Sequence, residues 1–162
     1  MEKKITCGIL VCSKHGFLAL LPNGRKDDFG SYDIPKGCHE EYDKELYDTA
    51  IRELKEETGI DLPSVLKYAS DPKVTSFGVN PYLKEKDLAL FVAEISDIDK
   101  FFNFKCTSFF ETPNGLELPE VVSYKWVRDL NYYFRSMQKC FKRLRETNSE
   151  FNNILEKYEK ND

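Results

Sequence analysis

Histidine is scarce in this chain, limited to His15 and His39, and its five cysteines (Cys7, Cys12, Cys38, Cys106, Cys140) form no Cys-x-x-C pair. That excludes the ligand spacing of a structural zinc site, and the odd cysteine count reads as free thiols in a reducing cytosol. Positive charge is also short: 24 Lys and Arg stand against 28 Asp and Glu, for a net charge of −4. No overall field draws the chain to nucleic acid, so an anionic substrate has to be held by particular cations and by metal. Long apolar runs are missing. Ile5–Cys12 after Lys3-Lys4 imitates the start of a signal peptide, but it is short and no small-residue cleavage site follows it. Nothing later is long enough to span a bilayer, so a cytoplasmic protein without a membrane partner is expected. Repeats, low-complexity tracts and linkers are absent as well, which predicts one domain over residues 1–162: a core over 1–130 and a helical segment over 131–162.

What is present suits a packed core, with 41% hydrophobic and 14% aromatic residues. Ile5–Cys12 and Phe17–Leu21 are short apolar runs separated by Ser13-Lys14-His15-Gly16, which predicts a hairpin. Pro22–Ser31 carries the Pro, Gly, Asn and Asp of a loop. Glu45–Thr58 has Leu46, Ala50, Ile51 and Leu54 at helical spacing, and Gly59 is a natural stop. Strands are expected at Val65–Ala69, Val74–Phe77, Leu88–Ile95 and Val121–Val127. The phenylalanine-rich Phe101–Phe110 segment reads as core contacts beneath a long connection. From Leu130 the pattern turns helical, with a break at Asn148-Ser149 and a basic face at Lys139–Arg145. Strands around one helix, closed by C-terminal helices, predict the α/β class: an α/β/α sandwich with a mixed β-sheet.

The most informative segment is Gly37–Ile60, GCHEEYDKELYDTAIRELKEETGI. Glu53, Glu56 and Glu57 lie three and four residues apart, on one face of a helix. Three carboxylates crowded together repel unless a cation sits among them. Hard oxygen ligands in a tight group suit Mg²⁺ or Mn²⁺, with phosphate oxygens and water completing the shell.

These residues resemble the signature of the Nudix hydrolases, Gly-x5-Glu-x7-Arg-Glu-U-x-Glu-Glu-x-Gly-U, where U is a bulky aliphatic. The second half is met in full by Arg52, Glu53, Leu54, Glu56, Glu57, Gly59 and Ile60. The first half carries one residue too many: counting back from Arg52 the first glutamate falls on Lys44, and counting forward from Gly37 it falls on Asp43. An insertion before the helix is inferred, with Asp43 or Glu45 replacing the missing carboxylate. The flanks extend the similarity. Tyr32-Asp33-Ile34-Pro35-Lys36-Gly37 resembles the approach to the box in diadenosine-tetraphosphate hydrolases and decapping enzymes. Lys86–Ile95 and Glu120–Trp126 resemble two later strands of the former group.

The resemblance implies a Nudix-type fold and metal-dependent cleavage of a nucleoside diphosphate linked to another moiety, with dinucleoside polyphosphates foremost. Alternatives are the 5′ end of RNA, ADP-ribose or a nucleotide sugar, or a non-catalytic nucleotide-binding module. By resemblance Glu56 and Glu57 ligate the metal, with Glu53 and the Gly37 carbonyl close by. Arg52 aims a carboxylate, and Glu120 is the candidate for a distant general base that also approaches the metal. Lys36 and Lys86 would hold phosphates, Tyr82 would add a hydroxyl donor, and an aromatic such as Tyr32, Phe77 or Phe109 would stack on a base.

Overall fold

A computed structural model describes residues 3–28, 30–98 and 103–160. The hairpin forms as expected: β1 (Lys4–Ser13) turns at Lys14-His15 into β2 (Gly16–Pro22), pairing Cys12 with Phe17 and Ser13 with Gly16. A short strand β3 (Lys36–Cys38) leads to helix α1 (Leu46–Thr58). After a second helix, α2 (Leu62–Tyr68), come β4 (Lys73–Leu83) and β5 (Lys86–Glu94). A small hairpin, β6 (Phe109–Glu111) and β7 (Glu117–Pro119), precedes β8 (Val121–Val127). The chain closes with α3 (Leu130–Tyr133), a 3-10 turn at Arg135–Met137, α4 (Gln138–Thr147) and α5 (Ser149–Glu159).

The main sheet runs β4-β5-β1-β2-β8, with β3 also paired to β1. β1 and β5 are parallel over nine register pairs from Lys4–Lys86 to Cys12–Glu94, while the other pairings are antiparallel, so the sheet is mixed. Side chains alternate between two cores, as the pleat requires. Cys7, Ile9, Val11, Leu18 and Leu20 face Ala50 and Leu54 of α1. Leu10, Cys12, Phe17 and Ala19 face Phe141, Phe151 and Leu155 of α4 and α5. The result is the α/β/α sandwich expected from the pattern.

One departure from a simple sheet makes room for chemistry. β1 and β2 pair only beside their turn, and farther along residues 33–38 run between them. Asp33 exchanges backbone hydrogen bonds with Leu20 of β2 (2.8 Å each), then the Ile9 amide of β1 donates to Pro35 (3.1 Å). Lys36 then lies opposite Gly8. Gly8 is needed for this close approach, since a Cβ there would press on Ile34, the Lys36 side chain and the Pro35 carbonyl.

Several expectations are corrected. Val65–Ala69 is no strand: residues 62–68 form α2, with Asp61 at its N-cap and Pro63 in its first turn. Leu62 and Val65 are buried one helical turn apart, and proline is well suited to a first turn. The strand expected at Val74–Phe77 continues to Leu83 through two register shifts. In the Phe101–Phe110 segment, Phe101 and Phe102 lie outside the described residues. Phe104 does stack on Tyr124 (4.5 Å, 6° between planes), but Phe109 and Phe110 are exposed on the small hairpin rather than in a core. The C-terminal helices break at Asn148, whose side chain accepts from the Phe151 amide and caps α5. Arg145, in the basic stretch of α4, is spent on a two-point ion pair with Glu159 of α5 (2.9 and 3.1 Å). Among the described residues no helix is long and apolar enough to cross a membrane.

Leu54 is fully buried between α1 and the sheet. Leu54→Ala is expected to lower the unfolding free energy by about 2–5 kcal/mol, as for other emptied core sites. Urea denaturation monitored by circular dichroism measures it, and an unchanged midpoint would mean that a different face of α1 meets the sheet.

Candidate active site

α1 presents an unusual face to the sheet. Its buried residues include Ala50 and Leu54 but also Glu53 and Glu57, each only 9% exposed. Beneath them runs β3. The Lys36 amide donates to Glu57 Oε1 (3.0 Å). The Glu53 carboxyl lies directly over Gly37, where an added Cβ would overlap its carbon and both oxygens. Gly37 does not have a left-handed backbone; what it supplies is room for the Glu53 carboxyl.

Both ends of α1 are tied. At the start, Asp48 accepts from the Glu45 amide (3.0 Å), a capping bond at the N-terminus of the helix. At the end, Gly59 adopts φ 82° and its amide donates to Lys55 (2.9 Å). The final carbonyls, which a helix leaves without partners, are taken up by distant chain. Thr107 donates to Glu56 through its amide (2.7 Å), Lys105 donates to Thr58 (3.0 Å), and the Tyr124 hydroxyl donates to the Glu57 carbonyl.

The extra residue before the helix has a clear consequence. Asp43, not Glu45, is the carboxylate that meets Arg52: its oxygens accept from Arg52 Nε (3.2 Å) and Nη2 (2.9 Å), and from the Thr49 hydroxyl (2.9 Å). Lys44, at the position the signature assigns to glutamate, is exposed. The Arg52 bonds, with those from Thr49 and the Glu40 amide region, outweigh burial and hold the Asp43 carboxyl down at about 2. The other edge of the Arg52 guanidinium reaches Glu53 (3.0 Å) and Glu56 (3.3 Å), so one cation links three acids.

The remaining acids feel each other. Burial foremost, then the nearby Glu56, raises Glu53 to about 7; Arg52 offsets part of this and Glu120 adds to it. Burial likewise raises Glu57 to about 8 against the stabilising Lys36 amide and ammonium, with Glu53 and Glu120 pushing further up. Glu120 itself is placed by its amide, which donates to Ser108 (2.9 Å), and by its carbonyl, which accepts from Asn23 (2.8 Å).

Glu57 and Glu120 share a cleft of about 190 Å³ with Lys36, Arg25 and Asp33. Three acids and two cations thus face one space. Of the residues expected to bind substrate, Lys86, Tyr32, Tyr82 and Phe77 are not on its wall. Lys86 is exposed at the start of β5 opposite Lys4, four residues along β1 from the Gly8–Lys36 pair, or about 13 Å at strand rise. Tyr32 is fully buried, its hydroxyl donating to Asp27 (2.5 Å) and its ring packed against Tyr133 and the Lys125 ammonium; no face is left for a base. Tyr82 is buried, and burial foremost raises its hydroxyl above the ordinary range; the hydroxyl is near Lys36 and Asp33 and hydrogen-bonds with Ser136. Phe77 is packed edge-on to Phe151 of α5. Arg25 and Asp33 were not foreseen; the signal for Arg25 was a cation within a Pro- and Gly-bearing loop just before the box.

Comparison with known proteins matches this geometry. The family model for the NUDIX domain matches residues 2–128. An uncharacterised 17.7 kDa protein of the e-segB intergenic region in Enterobacteria phage T4 is 33% identical over 127 residues, 75% of this chain and 80% of that protein. The chain belongs to the NUDIX domain family, the Nudix hydrolases. Two solved structures share the fold: an ADP-ribose pyrophosphatase from Streptococcus suis (16% identity, 91% and 94% of the two chains, TM-score 0.54) and the NUDIX domain of Shewanella oneidensis NrtR complexed with ADP ribose (15%, 89% and 90%, TM-score 0.55).

Nudix hydrolases generally use divalent metal such as Mg²⁺ or Mn²⁺. Among the described residues no group of three or more His, Cys, Asp or Glu is gathered closely enough to hold an ion as it stands; Arg52 and the Lys36 amide engage the box acids instead. The donor set nevertheless fits such an ion. Glu53 and Glu57 are hard oxygen ligands whose raised pKa values mark a place where added positive charge is favoured.

Two outcomes are expected. Glu53 and Glu57 have folded pKa values above the ordinary 4.5, so the stability they lend is full below about pH 4.5 and is lost as pH rises through about 7 to 8. Melting of the metal-free protein should therefore fall over that window, and added Mg²⁺ or Mn²⁺ should raise it more at the alkaline end; a Glu53→Gln/Glu57→Gln variant should flatten both effects. Gly37→Ala should cost about 1–3 kcal/mol by overpacking, and a double-mutant cycle with Glu53→Ala should recover most of that loss.

Proposed function

We propose that this chain is a metal-dependent pyrophosphohydrolase acting on a nucleoside diphosphate linked to another moiety, with dinucleoside polyphosphates as the leading substrate class. The observation that carries the reading is the shared cleft, where Glu57 and Glu120 face Lys36 and Arg25. Phosphoanhydride cleavage needs this pairing: acids to hold an ion and accept a proton, and cations to hold phosphate oxygens.

In this proposal Glu53, Glu56, Glu57 and the Gly37 carbonyl would hold Mg²⁺ or Mn²⁺, which supplies charge neutralisation on the phosphates and an acidified water. The protein's own groups do the rest. Glu120, half-buried in the cleft, takes the proton of the attacking water as general base. Lys36 and Arg25 grip non-bridging oxygens and fix the chain of phosphates. Lys36 is suited to this because Asp33, Tyr82 and Glu57 outweigh its burial and keep its ammonium charged. Asp43 and Thr49 fix Arg52, and Arg52 in turn aims Glu53.

The preference for dinucleoside polyphosphates rests on the Tyr-Asp-Ile-Pro-Lys-Gly approach and on the Glu120 strand. ADP-ribose is the second substrate to test, because solved structures of similar fold include an ADP-ribose pyrophosphatase and a domain complexed with ADP ribose. RNA 5′ ends stand behind both, given the net charge of −4 and the engagement of Arg145 by Glu159. We further infer that residues 1–162 act as one unit, since α4 and α5 cover one face of the sheet that carries the site. The free thiols of Cys7, Cys12, Cys38, Cys106 and Cys140 support a cytoplasmic setting.

A panel of diadenosine tetraphosphate, ADP-ribose, deoxynucleoside triphosphates and triphosphorylated RNA, assayed with Mg²⁺ and Mn²⁺, tests the reading. Glu57→Gln is expected to lower kcat by several orders of magnitude while the metal-free protein melts no earlier than wild type, because a neutral side chain replaces a buried acid. Equal activity in wild type and Glu57→Gln, or none in wild type, would point to a non-catalytic module.

A further inference from the structure

The carboxylate that pairs with both cations of the cleft is also bonded by a residue from beyond the part of the chain that matches the family. Asp33 is 4% exposed, and its backbone is locked to Leu20 of β2 by a hydrogen bond in each direction. Its carboxylate divides its oxygens. Oδ1 accepts from the Ser136 hydroxyl (2.5 Å), across 103 residues of sequence. Oδ2 is shared by Arg25 Nη1 (3.3 Å) and Lys36 Nζ (3.5 Å). Ser136 sits in the 3-10 turn Arg135–Met137, and the family match ends at residue 128.

That turn and α3 before it are held against the same loop at further points. The Gly30 amide donates to Tyr132 (2.9 Å) and the Tyr32 amide to Tyr133 (3.1 Å). Gly30 has φ 77° and lies so close to the Arg135 side chain that a Cβ would collide with it. The segment 30–33 is thus clamped between β2 and the C-terminal turn. Ser136 is at the point where the clamp touches the charged groups.

We propose that Ser136 is a positioning residue for phosphate binding: by occupying Oδ1 of Asp33 it leaves Oδ2 alone to face Arg25 and Lys36, so both cations point hydrogens into the cleft. Without the hydroxyl, Asp33 has both oxygens free to close on one cation in a two-point pair, the geometry a guanidinium favours, and that cation is withdrawn from the phosphates. The effect falls on ground-state binding, because Ser136 touches neither the box acids nor Glu120. This inference rests on the phosphate-gripping role given to Arg25 and Lys36 above.

The test pairs binding with kinetics on the full chain. Calorimetry with inorganic pyrophosphate should show affinity weakened about fivefold to tenfold in Ser136→Ala, in line with the sensitivity of such sites to small misplacements. With diadenosine tetraphosphate, KM should rise by a similar factor while kcat stays within about twofold. Ser136→Thr, which keeps the hydroxyl, should restore most of the affinity, and Ser136→Cys, of similar size but a weak donor, should not. Unchanged pyrophosphate affinity in both Ser136→Ala and Ser136→Cys overturns the inference, even if melting falls, and so does absence of pyrophosphate binding in wild type. A wild type that binds pyrophosphate in a Ser136-dependent way yet hydrolyses no nucleotide would sink the enzymatic reading and leave this one standing.

Discussion

Burial of two glutamates against a strand that has glycine in its middle is the constraint on which the site depends. Glu53 and Glu57 turn toward the sheet from the same helix face that carries Ala50 and Leu54. The hydrophobic contacts that dock α1 therefore also push two acids into a low-dielectric place. Acids there are disfavoured as anions, and the structure relieves them with Arg52, with the Lys36 amide and with the gap above Gly37. A site that resists its own negative charge is one that rewards a divalent cation.

The sheet makes that arrangement possible by separating β1 from β2. Had the hairpin stayed zipped along its length, residues 33–38 could not have entered, and neither Lys36 nor Gly37 would lie beneath α1. Gly8 is the small residue that lets this segment close on β1. The same insertion sets Asp33 between β2 and the C-terminal turn, three residues before Lys36, so the carboxylate that pairs with Lys36 and the strand beneath α1 lie on one short stretch of backbone. The strap from Lys105 to Thr107, with Tyr124, then fastens the far end of α1. Rigid support on both sides is what positioning chemistry at phosphates requires.

Much of this was legible in residue order alone. The helix carrying Arg52, Glu53, Glu56 and Glu57 shows itself by its period and by Gly59, and local spacing is enough to put its acids together. The hairpin, the strand at Leu88–Ile95 and the break at Asn148 are also local patterns. Val65–Ala69 misled because a short stretch led by Val65 and Leu66 and carrying Tyr68 was weighed above Asp61 and Pro63, which start a helix. Tyr32 and Phe77 misled because an aromatic ring looks the same in sequence whether it lines a cleft or fills a core.

Sequence by itself determined the acidic helix, the mixed α/β layering and the family, since each follows from periods of two or 3.6 residues and from fixed short spacings. Tertiary structure decided which carboxylate braces Arg52, that Arg25 and Asp33 join the cleft, that Lys86 and Tyr32 do not, and that Ser136 reaches back across 103 residues to Asp33. The reason is physical: a helix or strand carries its neighbours with it, whereas contacts between distant segments depend on register, burial and the space a glycine leaves.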